Sequence, residues 1–229
     1  ASHELKTPLT LIRLNAENLR PRLAADPEAA AQLDDLLDSV VRLQRIVESL
    51  LFLAKAEAGT FALRLQPTTT AAVIGELAED ATALCEDRGV RFNCERAGAA
   101  PVRCEPVLVR QLLLNLVSNA VRVSPPGGAV TLESHVREGQ WTLGVTDDGP
   151  GLPPDQLERI FERFVRYERP ASEAPADAAQ DSTSGHGLGL AICRSIAELH
   201  GGTIRAENRT DRTGLRVVAT WPAAGPLAF

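Results

Sequence analysis

The chain has 229 residues, 44% of them hydrophobic and 24% charged, enough for one large or two small soluble domains. Its 24 Lys and Arg are scattered among 30 Asp and Glu, and the net charge of −6 excludes the basic stripe that binding to nucleic acid needs. Cys85, Cys94, Cys104 and Cys193 form no CxxC pair or zinc-type grouping and read as reduced thiols of a cytoplasmic protein, and no apolar run approaches the roughly 20 residues that cross a bilayer.

Apolar residues at Leu5, Leu9, Ile12, Ala16, Leu19 and Leu23 alternate four and three apart, as a coiled-coil seam does, and predict a first helix with Pro21 near its end. Asp26 then caps a second helix that has Pro27 in its first turn. The second seam runs Leu33, Leu36, Val40, Leu43, Val47, Leu50 and Ala54, is widened by Leu37, Val41, Ile46, Leu51 and Phe52, and stops at Gly59. Two helices cannot enclose so wide a stripe, so the pattern predicts an antiparallel hairpin that builds a homodimeric four-helix bundle.

After Gly59 the period changes. Phe61, Leu63 and Leu65 alternate as a strand, and Pro67 to Thr70 lead into a helix carrying Val73, Ile74, Leu77, Ala81 and Leu84. Val90 to Cys94 and Val102 to Cys104 read as short strands, and Glu105 to Val123 as an apolar helix ended by Ser124-Pro125-Pro126-Gly127-Gly128. Val130 to His135 and Trp141 to Thr146 make a hairpin about Glu138-Gly139. Pro154 to Phe161 suggests a short helix and Leu188 to His200 a longer one, before a closing hairpin of Gly202 to Glu207 with Gly214 to Trp221. The fold class is α+β: helices over 1–59, then an α/β sandwich over 60–229 whose mixed sheet is covered by helices on one face. The stretch 166–186, rich in Ala, Pro, Ser, Asp and Glu, reads as a lid.

Three groups of residues carry chemistry. His3 stands two residues before seam position Leu5, about 200° round the helix, which turns its ring away from the bundle interior. Glu4 flanks it, Thr7 stacks one turn on, and Pro8 cannot donate to the carbonyl of Glu4, so a bend is expected there. A neutral imidazole attacks phosphorus through one nitrogen while the other holds a proton that a neighbouring carboxylate can take. The plain alternative is a solvated helix face. Downstream, Asp147 ends a strand and precedes Gly149 and Gly151, a turn able to run beneath a flat ring. Gly185-His186-Gly187-Leu188-Gly189-Leu190 leads into a helix whose unpaired amides can meet phosphate, although the Gly-Lys-Ser/Thr of a Walker loop is absent. Asn115 and Asn119 lie one turn apart on an apolar helix with Arg122 close behind; they either bond to backbone or serve Mg2+ and phosphate.

Together these motifs resemble the sensor histidine kinases of two-component systems, in which dimerisation and phosphotransfer helices precede an ATP-binding domain of the gyrase, Hsp90, histidine kinase and MutL superfamily. His3-Glu4-Leu5-Lys6-Thr7-Pro8 resembles the H box, Asn115 to Ala120 the N box, Asp147 to Gly151 the G1 box, Phe161-Glu162-Arg163-Phe164 the F box, and Gly185 to Leu190 the G2 box. The resemblance implies that His3 accepts the phosphoryl group with Glu4 as its acid/base partner, and that Asp147 accepts the adenine amine. It implies Asn119 as the Mg2+ ligand with Asn115 beside it, Gly149 and Gly151 along the adenine, Gly185, Gly187, Leu188 and Gly189 at the phosphates, and Arg122 and Arg166 leaning on them. Arg122 stands where the family often has Lys and Val123 where it often has an aromatic residue. Glu4 to Thr7 also resembles the family's phosphatase motif, in which the Thr hydroxyl positions a water.

The implied activity is ATP-dependent autophosphorylation of His3 and transfer to an aspartate of a response regulator, with dephosphorylation of that regulator as a second activity. The alternative is a dimeric scaffold that binds nucleotide without transfer. A related hydrolytic ATPase needs a Glu where Asn115 stands, and an amide is no base. Since the chain lacks methionine and opens inside a helix, the expectation is a cytoplasmic segment of a membrane-bound sensor.

Overall fold

The computed structural model describes residues 2–23, 26–96, 98–167 and 186–225, with side chains from Thr7 onward. The chain divides into two units, Ala1–Phe61 and Ala62–Phe229. No helix among the described residues is long and apolar enough to cross a membrane.

In the first unit, α1 (Ser2–Leu19) continues through Pro8, closes in a 3-10 turn at Arg20–Arg22, and is followed by α2 (Pro27–Glu57). Asp26 caps α2 as its sequence position suggests: Oδ1 accepts the N–H groups of Glu28 and Ala29, both at 3.2 Å. Leu9 and Ala16 on α1, and Leu33 and Val40 on α2, are buried, each pair seven residues apart. A second heptad-spaced set stays exposed: Ile12 and Leu19 on α1, Leu36 and Leu43 on α2. A single hairpin covers only one of the two sets because each helix turns just one stripe toward its neighbour, in keeping with a stripe too wide for two helices to enclose.

The second unit holds a five-stranded sheet of order β2-β4-β5-β7-β6, made of β2 (Arg91–Arg96), β4 (Ala129–Arg137), β5 (Gln140–Asp147), β6 (Thr203–Asn208) and β7 (Leu215–Pro222). Only β2 and β4 run parallel, so the sheet is mixed. Helices α3 (Thr70–Glu86), α4 (Pro106–Val123) and α5 (Gly189–Leu199) pack on the sheet, with α4 in contact with both others. Trp141, Leu143 and Val145 alternate along β5 onto the helices and are almost fully buried. Each such side chain contributes about 1.5–3 kcal/mol. Trp141 and Trp221 meet edge to face at 5.4 Å.

Two expectations change. Phe61, Leu63 and Leu65 alternate in burial but form no strand; the strand is β1 (Gln66–Thr69), and it pairs with β3 (Pro101–Cys104) apart from the main sheet. Alternation records which side chains find cover, whereas a strand also needs a backbone partner, and here a side chain supplies it: the Arg64 N–H donates to Glu105 Oε2 at 2.8 Å. The predicted helix over 154–161 is two 3-10 turns, Pro154–Gln156 and Arg159–Phe161, since three prolines and glycines crowd its start.

Candidate nucleotide-binding site

Asp147 is the last residue of β5 and only 5% exposed. Alternation along β5 sends its carboxyl to the helix side of the sheet, where Oδ1 accepts the N–H of Gly149 at 2.8 Å and of Leu215 at 3.1 Å. Burial pushes its pKa up from 3.8 to about 6, against the pull of those two backbone donors. Both bonds fall on Oδ1, and Oδ2 accepts no hydrogen bond among the described residues.

The turn after Asp147 is shaped by close approach. A Cβ at Gly149 would lie 2.9 Å from Val123 Cγ2, so glycine lets the turn meet the last residue of α4. Gly151 has φ +75°, and a Cβ there would lie 2.7 Å from Asn208 Oδ1. Beyond it the Asn208 side chain accepts the Leu152 N–H at 2.8 Å and donates to the Leu152 carbonyl at 2.6 Å. Asp148 takes the Ala129 N–H at 3.0 Å and Arg209 Nη1 at 2.7 Å, and Arg209 is held from behind by both carboxylate oxygens of Asp211. Sequence reasoning missed Asn208, Arg209 and Asp148. Asn208 reaches Leu152, and Arg209 reaches Asp148, across about 60 positions of the chain, so no local spacing reveals them.

On α4 the two asparagines divide their work. Asn115 Nδ2 donates to the Gly189 carbonyl at 3.3 Å and ties α4 to the first residue of α5. Asn119 is half-buried and its amide makes no hydrogen bond among the described residues, so its oxygen is unspent. Arg122 is exposed in the last turn of the same helix. Leu188 is buried at the N-cap of α5, and no side chain among the described residues caps its first amides. Gly187 has φ +66° and passes so close to Phe164 that a Cβ would lie 2.7 Å from that residue's backbone; the Phe164 N–H donates to the Gly187 carbonyl at 2.8 Å. The F-box and G2-box residues are thereby in contact.

Arg166 is exposed, while Gly185 and nearly all of the expected lid lie outside the described residues. His3 and Glu4 belong to α1, and their side chains also lie outside the described ones; Thr7 is exposed. No group of three or more His, Cys, Asp and Glu among the described residues could hold a metal by itself. An Mg2+ ion suits Asn119 nevertheless, because that ion takes one or two protein oxygens and completes its shell from phosphates and water.

Two families match this chain in the order of its units. The His Kinase A (phospho-acceptor) domain matches residues 1–59, and the histidine kinase-, DNA gyrase B- and HSP90-like ATPase matches residues 104–225. The chain belongs to the sensor histidine kinase family. Relatives include the sensor protein SphS of Synechococcus elongatus, 39% identical over 208 residues that span 90% of this chain and 49% of that protein. The sensor protein CutS of Streptomyces coelicolor is 36% identical over 229 residues, 97% of this chain and 51% of its own length. The crystal structure of full-length ShkA in complex with AMPPNP superposes with a TM-score of 0.80 at 27% identity, covering 99% of this chain and 45% of that one. The chain thus spans about half the length of these sensor kinases.

Proposed function

We propose that the chain is an ATP-dependent protein-histidine kinase, with residues 1–59 as its dimerisation and phosphotransfer part and 60–229 as its catalytic part. The observation that carries this reading is the buried carboxyl of Asp147, whose Oδ1 is spent on two backbone donors while Oδ2 remains for the 6-amino group of adenine. That group is a donor, and a carboxylate accepts from it without rearranging. The Gly149 turn lies against the ring, and the triphosphate runs toward the first amides of α5, whose dipole favours negative charge. Arg122, Arg166 and the G2 glycines Gly185, Gly187 and Gly189 flank the phosphates. Mg2+ bound at Asn119 supplies neutralisation of phosphate charge.

For transfer, one imidazole nitrogen of His3 attacks the γ-phosphorus in line. The bond from phosphorus to the β–γ bridging oxygen breaks, ADP leaves, and Glu4 takes the proton from the other ring nitrogen. Such a displacement is governed by positioning and charge neutralisation, so this small set of groups suffices. The phosphoryl group then passes to an aspartate of a response regulator. Ile12, Leu19, Leu36 and Leu43, exposed at heptad spacing, support a homodimeric four-helix bundle, since their cover must come from a second hairpin. Thr7, exposed one turn from His3, favours phosphatase activity as well.

Incubation with γ-labelled ATP and Mg2+ tests the reading, comparing the native chain with His3→Gln and Asn119→Ala. Acid-labile, base-stable label is expected in the native chain and in neither variant. Label that survives His3→Gln refutes the assignment, and nucleotide binding with no label in the native chain points to the scaffold instead.

A further inference from the structure

The turn that carries Asp147 is glycine-rich, running Asp147-Asp148-Gly149-Pro150-Gly151-Leu152, and two glycines raise the entropy that must be lost before the carboxyl has one orientation. Both ends of this turn are held from the last residue of β6 and the connection that follows it, with Asp148 also accepting the Ala129 N–H of β4 at 3.0 Å. At the far end, the side-chain amide of Asn208 bonds both backbone groups of Leu152, at 2.8 and 2.6 Å, as a neighbouring strand would. At the near end, Arg209 Nη1 reaches Asp148 Oδ1 at 2.7 Å and the Asp147 carbonyl at 3.4 Å. Arg209 and Asp148 are only 12% and 13% exposed, so water screens this pair little. Gly214 brings the same connection in so tightly that a Cβ would lie 2.2 Å from the Asp147 carbonyl oxygen, and Leu215 then donates to the carboxyl itself.

We infer that Asn208 and Arg209 are positioning residues for purine selection: they hold the 147–152 turn in the one arrangement in which Asp147 meets an amino group. Neither faces the purine in this scheme; both act through backbone that Asp147 shares. The inference rests on the reading of Asp147 as the adenine acceptor. Losing either pin lowers the population of the competent turn, and apparent affinity falls by the same factor. Binding energy contributed by the triphosphate is unaffected. A 6-keto purine, which offers no amine to Asp147, gains nothing from the ordered turn and loses nothing when it loosens.

The test is calorimetric binding of the non-hydrolysable ATP analogue AMPPNP and its guanosine counterpart to the native chain, Asn208→Ala and Arg209→Lys. Each variant is expected to bind AMPPNP about tenfold more weakly and the guanosine analogue within about twofold of native, so the preference for adenine falls. Equal weakening of both ligands marks mere loss of folded protein and overturns the inference, as does an unchanged preference. Arg209→Lys keeps the charge but not the paired contacts to Asp148 and Asp211, so it reads the same turn should Asn208→Ala not fold. A native chain with no preference for adenine overturns the reading of Asp147 itself, whereas a native preference that survives in both variants overturns only the roles of Asn208 and Arg209.

Discussion

Asp147→Asn is expected to make the catalytic unit more stable while disabling it. The carboxyl is 5% exposed, and burial lifts its pKa from 3.8 to about 6. At ~1.4 kcal/mol per tenfold in proton affinity, the ionised form therefore costs the fold about 3 kcal/mol at pH 8. The sign follows from proton uptake. Between the two values the native state binds the proton more tightly than the unfolded chain, so stability falls as pH rises from about 4 to about 6 and stays low above that. Asparagine has no such slope, and its oxygen can still accept the Gly149 and Leu215 N–H groups. Those two donors then turn its amide nitrogen toward the ligand, where it opposes the adenine amine donor to donor. Both tryptophans of the chain, Trp141 and Trp221, are fully buried in the second unit, so their emission during urea unfolding reports that unit alone. The variant should gain up to about 3 kcal/mol over native at pH 8 and about half that at pH 5, with ATP binding lost at both. A variant less stable than native at pH 8, or a gap that does not change with pH, would refute the reasoning.

His200 gives the opposite slope. It is fully buried, its Nε2 accepts the Glu105 N–H at 3.1 Å, its Nδ1 faces the Ile196 carbonyl at 2.8 Å, and burial holds its pKa below the ordinary 6.5 despite that carbonyl and the charge of Glu105. The contribution is complete above pH 6.5 and shrinks as pH falls below it, because only the unfolded chain takes the proton; the native-minus-His200→Gln difference in urea midpoint between pH 7.5 and 5.5 measures this. Asp26→Ala removes the oxygen that accepts two first-turn amides of α2 and should cost that helix about 1 kcal/mol, seen as earlier loss of far-UV helical signal with tryptophan emission unmoved.

Much of this protein was legible in its residues alone, where the cause is local. The heptad seams, the Asp26 cap, the Glu138-Gly139 hairpin and the apolar helix from Pro106 to Val123 all follow from periods and turn chemistry within a dozen residues. Spacing likewise singled out Asp147, Asn115, Asn119 and the glycines of both turns. Tertiary structure decided what depends on partners far along the chain. The residues 61–65 alternate like a strand, yet find no strand to pair with. Asn115 and Asn119 look equivalent on their helix, and only the arrival of Gly189 spends the amide of one and leaves the other. The raised pKa of Asp147 exists because the folded unit buries its carboxyl, which no local spacing reveals. Asn208 and Arg209 carry no motif because a hydrogen bond across about 60 residues has no period to read, and it takes the folded sheet to bring the two turns together.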